Sequence, residues 1–258
     1  MTDRAPWLGI VLVGGIAAVA TLAPLLAPQD PYASGIDMLV LPSAAHWLGT
    51  DDLGRDVLSR VIYGSRASLA IGFGAAVVAM SIGVPVGLVA GTLRGSVDIV
   101  LAALIDLFIA LPGLVLALII TVMIGANLRN LILVLGFVMW PPIARLVRGQ
   151  ALAIREALFI EAARATGGRS LWIVRRHVWP NVLPVVAAQF SISVSFAIFT
   201  SSSLSFLGLG IPPPAPDWGG MVRAGYDYLA LNPWISLAPG TAVSLTVMGF
   251  YLIGRSFR

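Results

Sequence analysis

Six long apolar runs constrain this chain more than any other feature of its sequence. A helix needs roughly 20 apolar residues to cross a hydrocarbon core of about 30 Å, and the runs are close to that length. Hydrophobic residues make up 58% of the chain and charged residues only 11%, whereas a soluble domain has about a quarter charged residues. We therefore expect an all-α membrane protein with one bundle of six transmembrane helices, at residues 7–27, 67–91, 99–124, 131–147, 182–207 and 235–253.

Two of these runs need separate interpretation. Arg4 precedes the first run and small residues follow it, a pattern shared with secretory signal peptides. The run is nevertheless long and leads into further spans, so we favour an uncleaved first helix. The fourth run is shorter and contains Trp140-Pro141-Pro142, which predicts a kink or an early exit from the membrane. We expect a single transmembrane domain, residues 1–258, with a core at 67–258 and an N-terminal span and outer segment at 1–66.

Residue types that are missing from the chain exclude several chemistries. All 16 basic residues are arginine, and without lysine the chain can form neither a P-loop for ATP nor a Schiff base. Without cysteine it has no disulfide, thiolate nucleophile or iron–sulfur site. His46 and His177 are expected on opposite membrane sides, where they cannot share a metal ion. We predict no catalytic residue, no metal site and no cofactor in this chain, and arginines that cluster at span ends do not indicate nucleic-acid binding.

The arginines also predict the orientation, because basic residues accumulate on the cytoplasmic side of a membrane protein. With the amino terminus inside, the cytoplasmic side holds 11 arginines and the outer side five. We therefore expect a multi-pass protein with both termini in the cytoplasm. The inner group is Arg4, Arg94, Arg145, Arg148, Arg155, Arg164, Arg169, Arg175, Arg176, Arg255 and Arg258; the outer group is Arg55, Arg60, Arg66, Arg129 and Arg223.

A basic segment, residues 155–184 and hereafter the basic hairpin, separates the fourth and fifth runs. Its arginines cannot sit in hydrocarbon, so it belongs outside the bilayer. An alanine-rich stretch from Glu161 runs up to Gly167-Gly168, which predicts a short helix that ends at the glycines, and Ser170 is suited to cap the next helix. The plainest interpretation is a cytoplasmic helix-turn-helix. Alternatively, the face formed by Ala162, Ala163 and Ala165 presses into a groove of a partner protein.

The outer segment between the first two runs also carries a helical pattern. Five residues fall at helical spacing and predict an amphipathic helix that leads into the second span: Leu53, Val57, Arg60, Val61 and Gly64. Thr50 or Asp51 is the expected cap of this helix. The acids here resemble a calcium-binding loop only superficially, because Leu53 and Arg55 interrupt the alternation of ligands that such a loop requires.

Polar residues inside the predicted spans are further candidates. Asp106 is the one acid deep within a span, about 12 Å beyond Asp98 at a rise of 1.5 Å per residue. Intramembrane acids usually face the bundle interior and serve function, so we predict a structural or gating role, with contact to the transported molecule as the alternative. Ser201 and Ser202 are candidates for a polar pathway, although hydroxyls also bond back to helical carbonyls.

Three stretches closely resemble signatures of ABC importer permeases of the peptide/nickel branch. Glu161-Ala162-Ala163, three residues and Gly167, followed by the closing unit His177-Val178-Trp179-Pro180, resemble the EAA loop of that family. Residues 46–60 are similar to its signature H-x-L-G-T-D-x-L-G-R-D-V-x-S-R, and residues 205–219 match the same branch with SFLGLG and PDWG. The chain most resembles the smaller member of that family's permease pair.

The resemblance implies a role for each stretch. The EAA-like loop would dock onto a separate ATPase subunit through Glu161, Ala162, Ala163, Gly167 and Pro180. The outer-face signature would comprise Gly49, Thr50, Asp51, Gly54, Arg55 and Asp56. The chain would be a non-catalytic permease of the bacterial cytoplasmic membrane, surrounded by lipid. Its partners would be a homologous second permease, two ATPase subunits that bind ATP and Mg, and an extracytoplasmic substrate-binding protein. Relatives commonly run on for a short tail after the last span, where this sequence ends at Phe257-Arg258, so the resemblance leaves open a truncated C-terminus.

Several alternatives remain for the transported molecule and the mechanism. Peptides are the expected cargo, and nickel or a metal chelate is the alternative because the glutamate that peptide-moving relatives have near Ser201 is missing. An autonomous secondary transporter often shows two related halves with broken helices, but the sequence has no internal repeat. An intramembrane enzyme would need a nucleophile–base pair or a metal constellation, which the two separated histidines do not supply.

Overall fold

The structure, a computed structural model, describes residues 5–93 and 95–256. Arg4, Arg94 and Arg258, which enter the arginine count, lie outside this part. The described chain forms helices and one isolated bridge between Thr50 and Asp56. Two π-helical turns, Val174–Val178 and Ser205–Leu209, flank α9. The α-helices are α1 (Ala5–Thr21), α2 (Ala23–Leu26), α3 (Val57–Thr92), α4 (Ser96–Ala110), α5 (Gly113–Ile124), α6 (Leu128–Arg155), α7 (Leu158–Ala165), α8 (Ser170–Ile173), α9 (Trp179–Leu204), α10 (Trp218–Tyr226) and α11 (Trp234–Arg255).

Four helices among the described residues are long and apolar enough to cross a membrane. They are α3, α6, the continuous helical stretch Ser170–Leu209 and α11. α4 and α5 together could supply a fifth span, although their axes differ by 82°. α1 is apolar over Trp7–Thr21 but shorter than these helices. The prediction of an all-α membrane protein is confirmed, while the count of six spans stays a prediction.

The third apolar run is broken, so the prediction of one unbroken helix over residues 99–124 is wrong. α4 ends at Ala110 and α5 begins at Gly113. Between them, Leu111 has an extended backbone with ψ of 131°. The ring of Pro112 disfavours the helical conformation of Leu111, and its nitrogen has no hydrogen to donate to the helical ladder. The break therefore follows from a residue that is visible in the sequence.

The fourth apolar run, in contrast to the third, forms one continuous helix. α6 continues for 28 residues through Pro141 and Pro142, so the helix does not end at these prolines, and the kink or early exit expected there stays a prediction. Asn127 starts the helix, because its side chain accepts a hydrogen bond of 2.9 Å from the amide of Asn130. Trp140 and Pro141 are buried. Prolines are tolerated in membrane helices when neighbouring helices support the backbone, and α3 packs along α6 here.

Small residues let α3 and α6 approach each other closely. Three glycines of α3, spaced four residues apart, lie against the backbone of α6: Gly83, Gly87 and Gly91. A Cβ atom at Gly83 would lie 2.7 Å from the carbonyl oxygen of Trp140, and one at Gly87 would lie 2.5 Å from that of Ala144. In lipid, helix association depends on such packing rather than on the hydrophobic effect. This pair of helices forms the centre of the core.

The two ends of the bundle are built differently. One end, hereafter the hairpin end, carries α7, the turn after it and α8. The opposite end, hereafter the signature end because it holds the outer-face signature, carries residues 27–56, the π turn Ser205–Leu209 and α10. One helical stretch of 40 residues, Ser170–Leu209, joins the two ends.

Candidate functional site

At the hairpin end, the turn between α7 and α8 is a Schellman motif. Gly167 has a φ of 85°, and its amide donates to the carbonyl of Arg164 at 2.9 Å. The amide of Gly168 donates to the carbonyl of Ala163 at 3.0 Å. This pair of bonds satisfies the last carbonyls of α7 and requires a left-handed residue at Gly167. The helix stop predicted at the glycines is confirmed, whereas the cap predicted at Ser170 is wrong because Arg169 occupies that position.

The basic hairpin presents an apolar surface that its own chain leaves open. The side chains of Leu158 and Leu171 are 82% and 77% exposed, and Phe159 and Trp172 are also exposed. Arg169, Arg175 and Arg176 border this surface and line an open hollow of about 520 Å³ with Leu171 and Trp172. Large exposed apolar patches with a polar rim indicate a docking surface. We call this surface, formed by residues 158–159, 169, 171–172 and 175–176, the hairpin surface.

The predicted residues of the EAA-like loop divide between this surface and the core. Glu161 and Ala162 are exposed, but Ala163 is only 8% exposed and packs into the main core cluster. The expectation of one open alanine face is therefore wrong for Ala163. Pro180 is exposed in the first turn of α9, at the base of the hairpin.

Pro180 also explains the π-helical turn that precedes it. A proline cannot donate to the carbonyl four residues earlier and its ring crowds that carbonyl, and a π bulge is a usual way to accommodate such a misfit. One residue further along, the carbonyl of His177 accepts a hydrogen bond of 2.6 Å from the side chain of Asn181. The His177 ring packs edge-on against Trp172, with ring centroids 5.1 Å apart. The π turn thus supports the hairpin surface from beneath.

Asp106 has a partner that the sequence analysis missed. Its carboxylate is hydrogen-bonded to the guanidinium of Arg145 on α6, and a second pair joins Asp98 to Arg148 at 2.7 Å. Both pairs connect α4 with α6. The Asp106 and Arg145 side chains are 64% and 53% exposed, so this pair faces away from the interior of the chain rather than into it. The sequence carried a signal for these two ion pairs in its spacing, since the two acids are eight residues apart and the two arginines three residues apart.

At the signature end, aspartates organise the turn that leads into α3. Asp56 caps α3 by accepting from the amide of Ser59 at 2.8 Å, and it also contacts His46 Nδ1 at 3.0 Å. Asp51 accepts from the amides of Leu53 and Arg55, both at 2.9 Å. The prediction that Thr50 or Asp51 caps the helix is therefore wrong. The helix begins at Val57 and is continuous with the second span.

Two glycines of the same signature are required by their backbone and their neighbours. Gly49 and Gly54 have φ of 78° and 71°, in the left-handed region that favours glycine. A Cβ atom at Gly49 would collide with the carbonyl of Val40, and one at Gly54 with the carbonyl of Gly35. The outer-face residues thus build a compact turn, and their known contacts are with their own chain.

A cavity of about 460 Å³ lies between this turn and the segment from Ser205 to Ala224. Three arginines and two aspartates line it: Arg55, Arg60, Arg223, Asp51 and Asp217. Arg55 donates to Asp51 at 2.7 Å, and Arg60 lies 3.5 Å from the same carboxylate. We call it the signature cavity.

Asp217 is a further functional candidate that the sequence analysis did not single out. It caps α10 by accepting from the amide of Gly220 at 3.0 Å, and it is 5% exposed. Burial raises the pKa of this carboxyl, and the hydroxyl of Ser205 and the amides of Gly219 and Gly220 partly oppose that rise.

Of the two serines predicted to line a pathway, Ser201 is turned toward its own helix. Ser201 is 2% exposed and donates to the carbonyl of Ile198 at 3.0 Å. Ser202 is half-buried, with its backbone against Gly219. In the part of the chain that the structure describes, histidines and acids do not gather in a group of three or more that could hold a metal ion.

Known proteins share both the sequence and the fold of this chain. Residues 83–258 match the family described as "Binding-protein-dependent transport system inner membrane component". A dipeptide transport system permease protein of Alkalihalophilus pseudofirmus is 36% identical over 252 residues, which cover 97% of this chain and 83% of that protein. A glutathione transport system permease protein of Pectobacterium atrosepticum is 37% identical over 245 residues, or 94% of this chain and 81% of that protein.

A solved structure shows the same fold. The inward-facing MetNI methionine ABC transporter contains a chain that superposes with a TM-score of 0.63 at 23% identity. The superposition covers 77% of this chain and 96% of that chain. At this level of identity the comparison establishes the fold alone.

Proposed function

The chain belongs to the family of binding-protein-dependent transport system inner membrane components, and from that membership we propose that it is a permease subunit of an ABC importer that carries peptides across the bacterial cytoplasmic membrane. Members of this family are non-catalytic transport components. Relatives that match more than 90% of this chain are named for the transport of dipeptides and glutathione. Their names favour a peptide over the nickel or metal-chelate alternative.

The hairpin surface is the observation that carries this proposal. It combines exposed apolar side chains with a rim of arginines, and the Schellman turn fixes its shape. A surface of this kind suits a groove on another protein better than lipid or water. We assign it to an ATPase subunit, with Glu161, Ala162 and Gly167 at the contact and Ala163 and Pro180 holding the hairpin in position. ATP and Mg would be bound by that subunit.

The exposed ion pair of α4 and α6 supports a second permease as partner. Asp106 and Arg145 lie in helices of the membrane bundle yet are more than half exposed in the isolated chain. Charged groups at membrane depth are costly in lipid and usually face protein or a water-filled path. We infer that a homologous permease covers this side of the bundle, and that the pair adjusts the relative position of α4 and α6 during transport.

The proposed topology has six spans with both termini in the cytoplasm. α1 and the bent pair of α4 and α5 would each count as one span, beside the four long helices. The hairpin end would then face the cytoplasm, where ATP is available. The signature end would face outward, where a substrate-binding protein delivers the cargo.

Reconstitution of the complete transporter tests the function. The two permeases and two ATPases would be placed in proteoliposomes with ATP inside and the cargo-loaded binding protein outside. We expect peptide uptake and ATP hydrolysis that both depend on the loaded binding protein, and no uptake of nickel. Peptide uptake that persists without ATPase subunits would indicate a secondary transporter instead. Nickel uptake without peptide uptake would reject the assigned cargo.

A further inference from the structure

We propose that the signature cavity binds the terminal carboxylate of the peptide cargo, with Arg223 as the residue that recognises it. This inference rests on the proposed function and identifies a site within it. The volume of the signature cavity, about 460 Å³, falls in the range of about 300–1,000 Å³ that is usual for small-molecule sites.

Arg223 differs from the other two arginines of the cavity in having no partner. Arg55 and Arg60 are 7% and 6% exposed, and both lie against Asp51. Arg60 also donates to the carbonyl of Pro31 at 2.9 Å. Within residues 5–93 and 95–256, the side chain of Arg223 makes no hydrogen bond and no ion pair. Its guanidinium donors therefore remain available.

Gly208 nevertheless leaves room for the Arg223 side chain. Gly208 has a φ of 90°, and any Cβ atom there would collide with the Arg223 guanidinium. The π turn Ser205–Leu209 ends the long helix beside this position. Both Gly208 and Arg223 line the cavity, so the absence of a side chain at residue 208 lets the guanidinium rest at the cavity wall.

The charges around the cavity favour an anion. Asp51 is engaged by Arg55 and Arg60. Asp217 is buried and accepts a hydrogen bond from the amide of Gly220, so the two aspartates of the cavity wall face three arginines. This leaves the cation of Arg223 in excess. A planar guanidinium binds a carboxylate through two parallel hydrogen bonds, and a short peptide always carries such a group at its carboxyl end.

Protection of a cysteine in the cavity tests this assignment. The chain has no cysteine of its own, so Ala224→Cys introduces a single reactive thiol at the cavity wall. In the complete transporter, millimolar alanyl-alanine should slow the labelling of this thiol by a maleimide. The carboxyl-terminal amide of the same dipeptide should not, because it lacks the negative charge.

Substitutions of Arg223 give the matched comparison. Arg223→Gln should weaken the protection by alanyl-alanine about tenfold in apparent affinity, as expected for the loss of a charge-assisted hydrogen bond. Arg223→Lys should keep part of it. Arg66→Gln removes an exposed arginine of the same end that stacks on Tyr63 and does not line the cavity, so it should leave the protection unchanged.

Each outcome has a distinct meaning. No protection, equal protection by the amide, or protection retained in Arg223→Gln would overturn the assignment, even if the transporter imports peptides. Absence of peptide uptake by the unsubstituted transporter would instead overturn the proposed function, and the assigned cargo with it.

Discussion

Gly167 illustrates how the backbone conformation of a single residue can shape a docking surface. A Cβ atom there would meet no atom within 4 Å, yet the backbone has a φ of 85°. The effect of a substitution therefore comes from backbone strain alone, which for a residue in the left-handed region amounts to about 1–2 kcal/mol. Asparagine tolerates this region, whereas a β-branched residue does not.

We predict that Gly167→Val disturbs the Schellman turn and lowers both the amount of ATPase subunit that co-purifies and the hydrolysis stimulated by cargo. Gly167→Asn should retain most of both, since it can adopt the same backbone conformation. The affinity of the isolated binding protein for cargo should stay the same. Normal subunit content and normal stimulation in Gly167→Val would contradict the role assigned to the hairpin surface.

Asp106 and Arg145 form a pair that can be tested by exchange of charge. Asp106→Arg should place two cations side by side and reduce the transport rate, because like charges repel between α4 and α6. The double variant Asp106→Arg with Arg145→Asp should recover a large part of the rate. Asp106→Asn should leave the complex assembled and its cargo preference unchanged. A change in cargo preference would instead indicate direct contact of Asp106 with the transported molecule.

The buried carboxyl of Asp217 predicts a dependence on pH. Its pKa is raised in the folded state by burial, so the folded state binds the proton more tightly than the unfolded state. The stabilisation is complete below the ordinary aspartate pKa of about 4 and is lost as the pH rises from there through the raised pKa. Hydrogen exchange in α10, corrected for intrinsic rates, should therefore show less protection at the higher pH. Asp217→Asn should remove this dependence while keeping the cap, and an identical pH response in both proteins would disprove it.

Individual residues also show which local structures could be predicted from the sequence. Gly167 and Gly168 marked the end of α7 because few other residues accept that backbone conformation. The cap of α3 could not be assigned in the same way, since Thr50, Asp51 and Asp56 are all good caps. Tertiary contacts decide which of them caps α3. Asp51 is paired with Arg55 and Arg60, and Asp56 accepts the hydrogen bond from the amide of Ser59.

At the scale of helices, prolines gave opposite results. Pro112 separates α4 from α5, while Pro141 and Pro142 lie inside α6. The sequence analysis expected a kink or an early exit at Pro141-Pro142 and no break at Pro112, because the effect of a proline depends on whether a neighbouring helix supports the backbone. The partnership of Asp106 with Arg145 was hidden for a similar reason, as it depends on how two separate helices are aligned.

The bend between α4 and α5 predicts a measurable distance. Spin labels at Val100 and Met123, both exposed, would be about 34 Å apart along a straight helix at 1.5 Å per residue. With the axes 82° apart, the same rise gives roughly 26 Å. Pulsed electron resonance on a Val100→Cys and Met123→Cys variant should give the shorter value. The equally spaced pair Leu58→Cys and Ser81→Cys in α3 serves as the straight reference, and equal distances in both would exclude the bend.

At the scale of the whole molecule, the orientation rests on the split of 11 inner and five outer arginines. Cysteines at Ser34 and Asp227, both exposed, should react with an impermeant maleimide on intact cells. One at Ser170 should react only after the membrane is permeabilised. Labelling of Ser170→Cys from outside would reverse the topology and remove the basis for assigning the hairpin surface to an ATPase.

The long helical stretch from Ser170 to Leu209, which is helical up to the kink at Gly208, has a mechanical consequence. At 1.5 Å per residue its 40 residues form a rod about 60 Å long. It starts beneath the hairpin surface and ends at Ser205 and Gly208, in the wall of the signature cavity. A tilt of only about 5° about one end would swing the other by about 5 Å, given that length. A small rotation of this helical stretch at its hairpin end would therefore become a displacement of several ångströms at the place where we expect the cargo carboxylate to bind.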